Sequence, residues 1–129
     1  MARAARQGIA LGPDINQTLA LAHQARVDCD HERAKGLYEA VLGAAPDHHE
    51  ARWGYGLVLG FLGFFDESLV ELHQAAQSPG AQAQWVFDLA MTEMMLGDYN
   101  AARPNFQRAI KLDKEGRIAE RARKQLSYF

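Results

Sequence analysis

Apolar residues recur three and four apart through most of the chain, the spacing that puts one greasy stripe on each of a series of α-helices. Short polar or glycine-bearing breaks divide the pattern into segments of about a dozen residues. Shifting the chain by 34 residues superposes three stretches with no insertion or deletion. Ala34, Ser68 and Ala102 then align as small residues; four positions on stand Tyr38, Leu72 and Phe106, and three further Val41, Ala75 and Ala109. Upstream, Leu21 with Ala22, Tyr55 with Gly56 and Leu89 with Ala90 align as a large residue followed by a small one. Cys29, Gly63 and Gly97 share one turn, which His31, Phe65 and Tyr99 follow.

Each unit therefore predicts two helices joined by a short turn, with small residues letting them cross closely. Asp14 with Gln17, and Asp47 with Glu50, have the spacing of reciprocal N-terminal caps and place first-helix starts near residues 15 and 48. Ser78-Pro79 marks the third start. Gly63 and Gly97 suit the left-handed conformation that ends a helix, after which Asp98 caps the next. A single unit cannot bury its own apolar face, so the units must stack. Pro104 lies inside the last predicted second helix, where it removes an amide donor and predicts a local bend. Beyond residue 116, Ile118, Ala122, Leu126 and Phe129 share one helical face and Arg117, Glu120, Arg121 and Lys124 lie elsewhere, the pattern of a closing cap.

This pattern resembles the tetratricopeptide repeat family, in GLVLGFLGFFDESLVELHQAAQSP and more strongly in LAMTEMMLGDYNAARPNFQRAIKLD, with its Gly-Asp-Tyr turn and its Ala, Phe, Ala trio. The first copy departs most, with Cys29-Asp30-His31 at the turn and Ala25 where the family favours a large aromatic; Pro46 falls where the family often places a proline between repeats. The resemblance implies an all-α fold, a right-handed superhelical stack of antiparallel helix pairs with about seven helices. Residues 1–14 form a leader, 15–48, 49–82 and 83–116 three repeats, and 117–129 the capping helix.

In this family the first helices line a concave surface against which partner segments lie. Carried onto this chain, the resemblance places Leu19 and His23 of the first unit, Trp53, Leu57 and Phe61 of the second, and Phe87, Met91, Met94 and Met95 of the third on that wall. Such a wall exceeds the apolar patch a soluble monomer ordinarily leaves uncovered. Methionines repack around varied apolar anchors, and Gly54 and Gly60 are expected to leave room for a foreign backbone. The same spacing also fits packing between neighbouring helices, which stays open for Trp53, Phe61 and Met94. Family members that hold a C-terminal carboxylate do so with lysine, asparagine and arginine. Here Leu19, His23, Gly54, Gln84 and Asp88 stand at those places, so that mode is not expected.

Length and composition narrow the rest. The 129 residues, 48% of them hydrophobic, suffice for one packed domain, and a net charge of −2 argues against a protein held to nucleic acid chiefly by charge. That charge is uneven: +2 over residues 1–26 (three basic, one acidic), −9 over 27–102 (three and twelve) and +5 over 103–129 (eight and three). A basic end opposite an acidic middle favours head-to-tail association or an acidic partner. The lone Cys29 forms no internal disulfide and suits a reducing, cytoplasmic setting. The longest apolar stretch of the leader, Gly8 to Gly12, is too short for a secretory core. Trp53 to Phe65 is thirteen uncharged residues against the roughly 20 that span a bilayer, so no membrane segment is expected.

Asp28-Cys29-Asp30-His31-Glu32 carries metal-ligand chemistry without a metal site's spacing, and His23 on the wall could sense pH. No nucleophile, base and orienting group form a catalytic signature, so no enzyme activity, cofactor or metal is expected. The reading is a non-enzymatic adaptor or small chaperone-like module binding an apolar peptide or helix of another protein. Its alternative is a self-associating scaffold whose groove is filled by Ile9 and Leu11 of the leader or by a second copy.

Overall fold

The computed structural model describes residues 14–129; the leader, with Ile9 and Leu11, lies outside the described residues. These residues form seven helices: α1 (Asp14–Val27), α2 (His31–Ala44), α3 (His49–Phe61), α4 (Phe65–Ala76), α5 (Ala83–Met95), α6 (Tyr99–Leu112) and α7 (Arg117–Leu126). Consecutive helices pack on one another throughout. First helices also approach closely across units, α1 to α3, α3 to α5 and α5 to α7, whereas the backbones of α2, α4 and α6 stand farther apart. The odd-numbered helices are thus the inner layer of an all-helical stack, and α7 occupies the place of a fourth first helix. Phe129 accordingly falls one repeat beyond Met95, in register with Val27 and Phe61.

The alternation of small and large residues is what packs the pairs. Ala34, Ser68 and Ala102 are buried, as are Tyr38, Leu72 and Phe106, and Val41, Ala75 and Ala109. Gly56 of α3 lies against Leu72 of α4, where an added Cβ would come within 2.8 Å of the leucine side chain. Ser68, at the close crossing, turns its hydroxyl to the Gly56 carbonyl at 2.7 Å, so the buried polar group is satisfied. Two apolar clusters result, one around Tyr38 joining the first units and one around Phe87 and Phe106 joining the last.

The three equivalent turn positions, Cys29, Gly63 and Gly97, all have positive φ, at 63°, 92° and 88°. Cys29 therefore bears a Cβ in a conformation that costs a non-glycine residue about 1–2 kcal/mol. Asp30 and Asp98 cap α2 and α6 by accepting from the amides of Arg33 and Ala101.

Two local expectations shift. α3 is capped by His48 rather than Asp47, its Nδ1 accepting from the Ala51 amide at 3.3 Å. Ser78-Pro79 closes a turn, with the Ser78 hydroxyl on the Ala75 carbonyl, and α5 begins only at Ala83. α6 is one helix from Tyr99 to Leu112 with Pro104 in it.

Gly54 does not leave space for a partner. It is buried, and a Cβ there would collide with the hydroxyl end of the Tyr38 ring, which reaches from α2 of the first unit under α3 of the second. Gly54→Ala should lower stability in urea denaturation by about 1–3 kcal/mol, the cost of overpacking. Gly36→Ala, in the open middle of α2 with nothing near its Cβ, should raise stability by about 0.5–1 kcal/mol.

Candidate functional site

The inner layer divides into a polar upper part and an apolar lower part. In the first, His23 Nδ1 lies 2.6 Å from the Tyr38 hydroxyl and its Nε2 lies 2.8 Å from Glu50 Oε2. Arg26 Nε donates to the Tyr38 oxygen at 3.0 Å. That order leaves the Tyr38 hydrogen for Nδ1 and the Nε2 hydrogen for Glu50, a closed network that engages both ring nitrogens of His23. Burial pushes the Tyr38 hydroxyl above the ordinary phenol range, an effect opposed by the Arg26 guanidinium.

Trp53 carries the network to the third unit. The Arg26 guanidinium lies 4.9 Å from its ring centroid, Trp85 stacks at 6.4 Å, and its Nε1 donates to Asp88 Oδ2 at 2.8 Å. Asp88 also accepts from Gln84 at 3.0 Å. Burial holds the Asp88 carboxyl above its usual value against the pull of those two hydrogen bonds and of Arg121 and Arg26. Trp53 is thus a half-buried strut whose polar edge is already used.

Below it, between α3 and α5, an open pocket of about 260 Å³ is lined mainly by apolar groups. Leu57, Phe61, Phe87, Met91 and Met95 meet there, five of the nine residues expected on the wall. Phe61 and Met95 stand at its mouth, 71% and 75% exposed, while Phe87 forms a sealed floor at 1%. Phe106 meets the Phe87 edge and the Arg121 guanidinium covers its face at 4.6 Å.

The other four expected residues lie elsewhere. Leu19 is 8% exposed and belongs to the first core cluster; Met94 packs against the last one, as Leu57 and Met91 also do, but does not line the pocket. His23 and Trp53 belong to the polar network. Phe65, Leu96 and Arg121 line the pocket without having been expected there. Phe65 was visible in the register with His31 and Tyr99, whereas Arg121 arrives from α7, a contact that no periodicity within the repeats encodes.

With the geometry in place, comparison with known proteins defines the fold class. No protein-family model matches the chain, and no curated protein matches it. Among solved structures it is similar to PcrH in complex with the chaperone binding region of PopD, at 20% identity and a TM-score of 0.84 over 95% of each chain. It is also similar to the Yersinia enterocolitica type III secretion translocator chaperone SycD, at 16% identity and a TM-score of 0.79 over 89% of each. YrrB, a TPR protein with an unusual peptide-binding site, matches at 21% identity and a TM-score of 0.68, over 75% of this chain and 50% of that one. The shared fold is the tetratricopeptide-like helical solenoid.

The raised Asp88 titration makes a signed prediction. Because the folded carboxyl holds its proton more tightly than the unfolded one, its burial cost is absent below the ordinary carboxylate value. The cost is fully present above the raised folded value, so stability falls as pH rises through that window. Measured by urea denaturation between pH 7 and pH about 4, wild type should therefore gain on Asp88→Asn as the solution is acidified. A constant difference, or one that moves the other way, would remove burial as the dominant influence on Asp88.

Proposed function

We propose that this chain is a non-enzymatic binding module, chaperone-like and cytoplasmic, that shelters an apolar segment of another protein in the pocket between α3 and α5. One observation carries the reading. Phe61 and Met95 stand mostly in solvent at the mouth of a preformed apolar pocket, a position that favours coverage by a ligand. Met91 and Met95 supply an adaptable lining, and Leu57 and Phe87 a fixed one. The neighbours support the same reading, since PcrH is described with the chaperone binding region of PopD and YrrB with a peptide-binding site.

The polar groups near the pocket suit binding better than catalysis. Asp88 already accepts from Trp53 and Gln84, and Arg121 lies over Phe87. No helix among the described residues is long and apolar enough to cross a membrane.

Wild type should enhance the fluorescence of the apolar dye ANS. Leu57→Glu and Met91→Glu should each weaken dye binding by about tenfold or more, a loss above 1.4 kcal/mol, while the helical circular dichroism stays unchanged. Unaltered dye binding by both variants would remove the pocket from the account. Sedimentation gives the opposing result: a wild-type dimer that becomes monomeric in Leu57→Glu would mean that a second copy fills the pocket.

A further inference from the structure

The pocket mouth belongs to a longer feature along the edge where first helices end and second helices begin. Val27, Phe61 and Met95 occupy one position of the 34-residue register at 65%, 71% and 75% exposure; Phe129, beyond the end of α7, holds the next register position but packs against Phe106 and the last core cluster. Beside each step lies a side chain from the preceding unit's second helix. His31 stacks on Phe61 at 4.6 Å with the rings 7° apart, Phe65 shares the pocket with Met95, and Tyr99 meets Phe129 edge-on at 5.4 Å. The result is an apolar ladder with one rung per unit.

Its borders are acidic. Asp28 and Glu32 follow Val27 in the chain, Asp66 and Glu67 follow Phe61, and Asp98 follows Met95; all five are exposed, with Glu67 also lining a separate hollow beside Lys35 and Tyr55 and Asp98 one beside His73. None forms an ion pair among the described residues, where the three pairs present involve Glu39, Glu50 and Glu71. Helix-start dipoles account for some of these acids singly. They do not account for five exposed acids gathering at the same turns that carry the exposed apolar row.

We infer that this turn edge is a second part of the binding surface and selects partner segments that alternate apolar anchors with basic side chains. The inference rests on the proposed binding role and adds the chemistry of what is bound. Packed helices stand about 8–10 Å apart, and a polyproline-II chain advances about 3.1 Å per residue with three residues per turn, so an anchor at every third residue returns to the same face about one rung further on. Basic residues between the anchors would face the acids, lending affinity and a faster encounter that salt suppresses.

Three fluorescein-labelled peptides test this by polarisation: repeats of Leu-Lys-Ser, Leu-Glu-Ser and Leu-Ser-Ser. The Leu-Lys-Ser peptide should bind the full chain about tenfold more tightly than Leu-Glu-Ser at low ionic strength, with the gap closing as salt is raised. The double variant Asp66→Lys, Glu67→Lys should abolish or reverse that preference. The milder Asp66→Asn, Glu67→Gln should reduce it with the helix start intact. Val27→Ser, outside the α3–α5 pocket, should weaken the Leu-Lys-Ser peptide severalfold without changing ANS binding.

Equal binding of the lysine and glutamate peptides by wild type would overturn the inference while leaving the binding module standing. Failure of all three, the uncharged one included, would overturn the module itself. A wild-type dimer that falls apart in high salt and in the charge-reversed variant would assign the edge to a second copy instead.

Discussion

The close approach of helices through small residues is the constraint on which the rest of this structure depends. Leu72 seats against Gly56 within one pair, and the Tyr38 ring fills the space under Gly54 between one pair and the next. Both contacts use the absence of a side chain on α3. With alanine, serine and glycine occupying the crossings, bulky residues outside the core positions have no place between helices. Phe61 and Met95 are two of these, and their exposure follows from the same economy that packs Tyr38, Leu72 and Phe106.

The polar network has a complementary role. Glu50, His23, Tyr38 and Arg26 link the first two units, and Trp53 with Asp88 links the second to the third. Each member occupies hydrogen-bonding capacity of its neighbour, so the upper inner wall is a rigid, self-satisfied surface. The lower wall, with methionines and a cavity, is where another chain can be accommodated. One layer of helices therefore carries both a hydrogen-bonded brace and an adaptable seat, which meet at Asp88.

Much of this was legible in the sequence because repetition over-determines it. The buried trios at Ala34, Tyr38 and Val41 and their equivalents, the left-handed turn at Cys29, Gly63 and Gly97, and the Asp98 cap all follow from one register. What the register could not resolve was which side of a helix faces a neighbouring unit. Leu19 shares the spacing of wall positions yet packs into a core, Met94 does not line the pocket that Met91 and Met95 share, and Gly54 is filled from an adjacent unit, because inter-unit packing depends on the particular side chains meeting there. His48 displaced Asp47 as a cap for a similarly local reason: its ring nitrogen reaches the Ala51 amide. Arg121 over Phe87 needed the placement of α7, which only three dimensions supply.

The central claim is that the pocket between α3 and α5 is an open seat for a foreign apolar segment, and its methionines can report on it directly. Methyl NMR of the chain, with the Leu-Ser-Ser peptide titrated in, separates Met91 and Met95, which line the pocket, from Met94, which does not. The account predicts saturable shifts at Met91 and Met95 with Met94 nearly still. Movement of Met94 alone, or silence at Met91 and Met95 while the peptide binds, would contradict it.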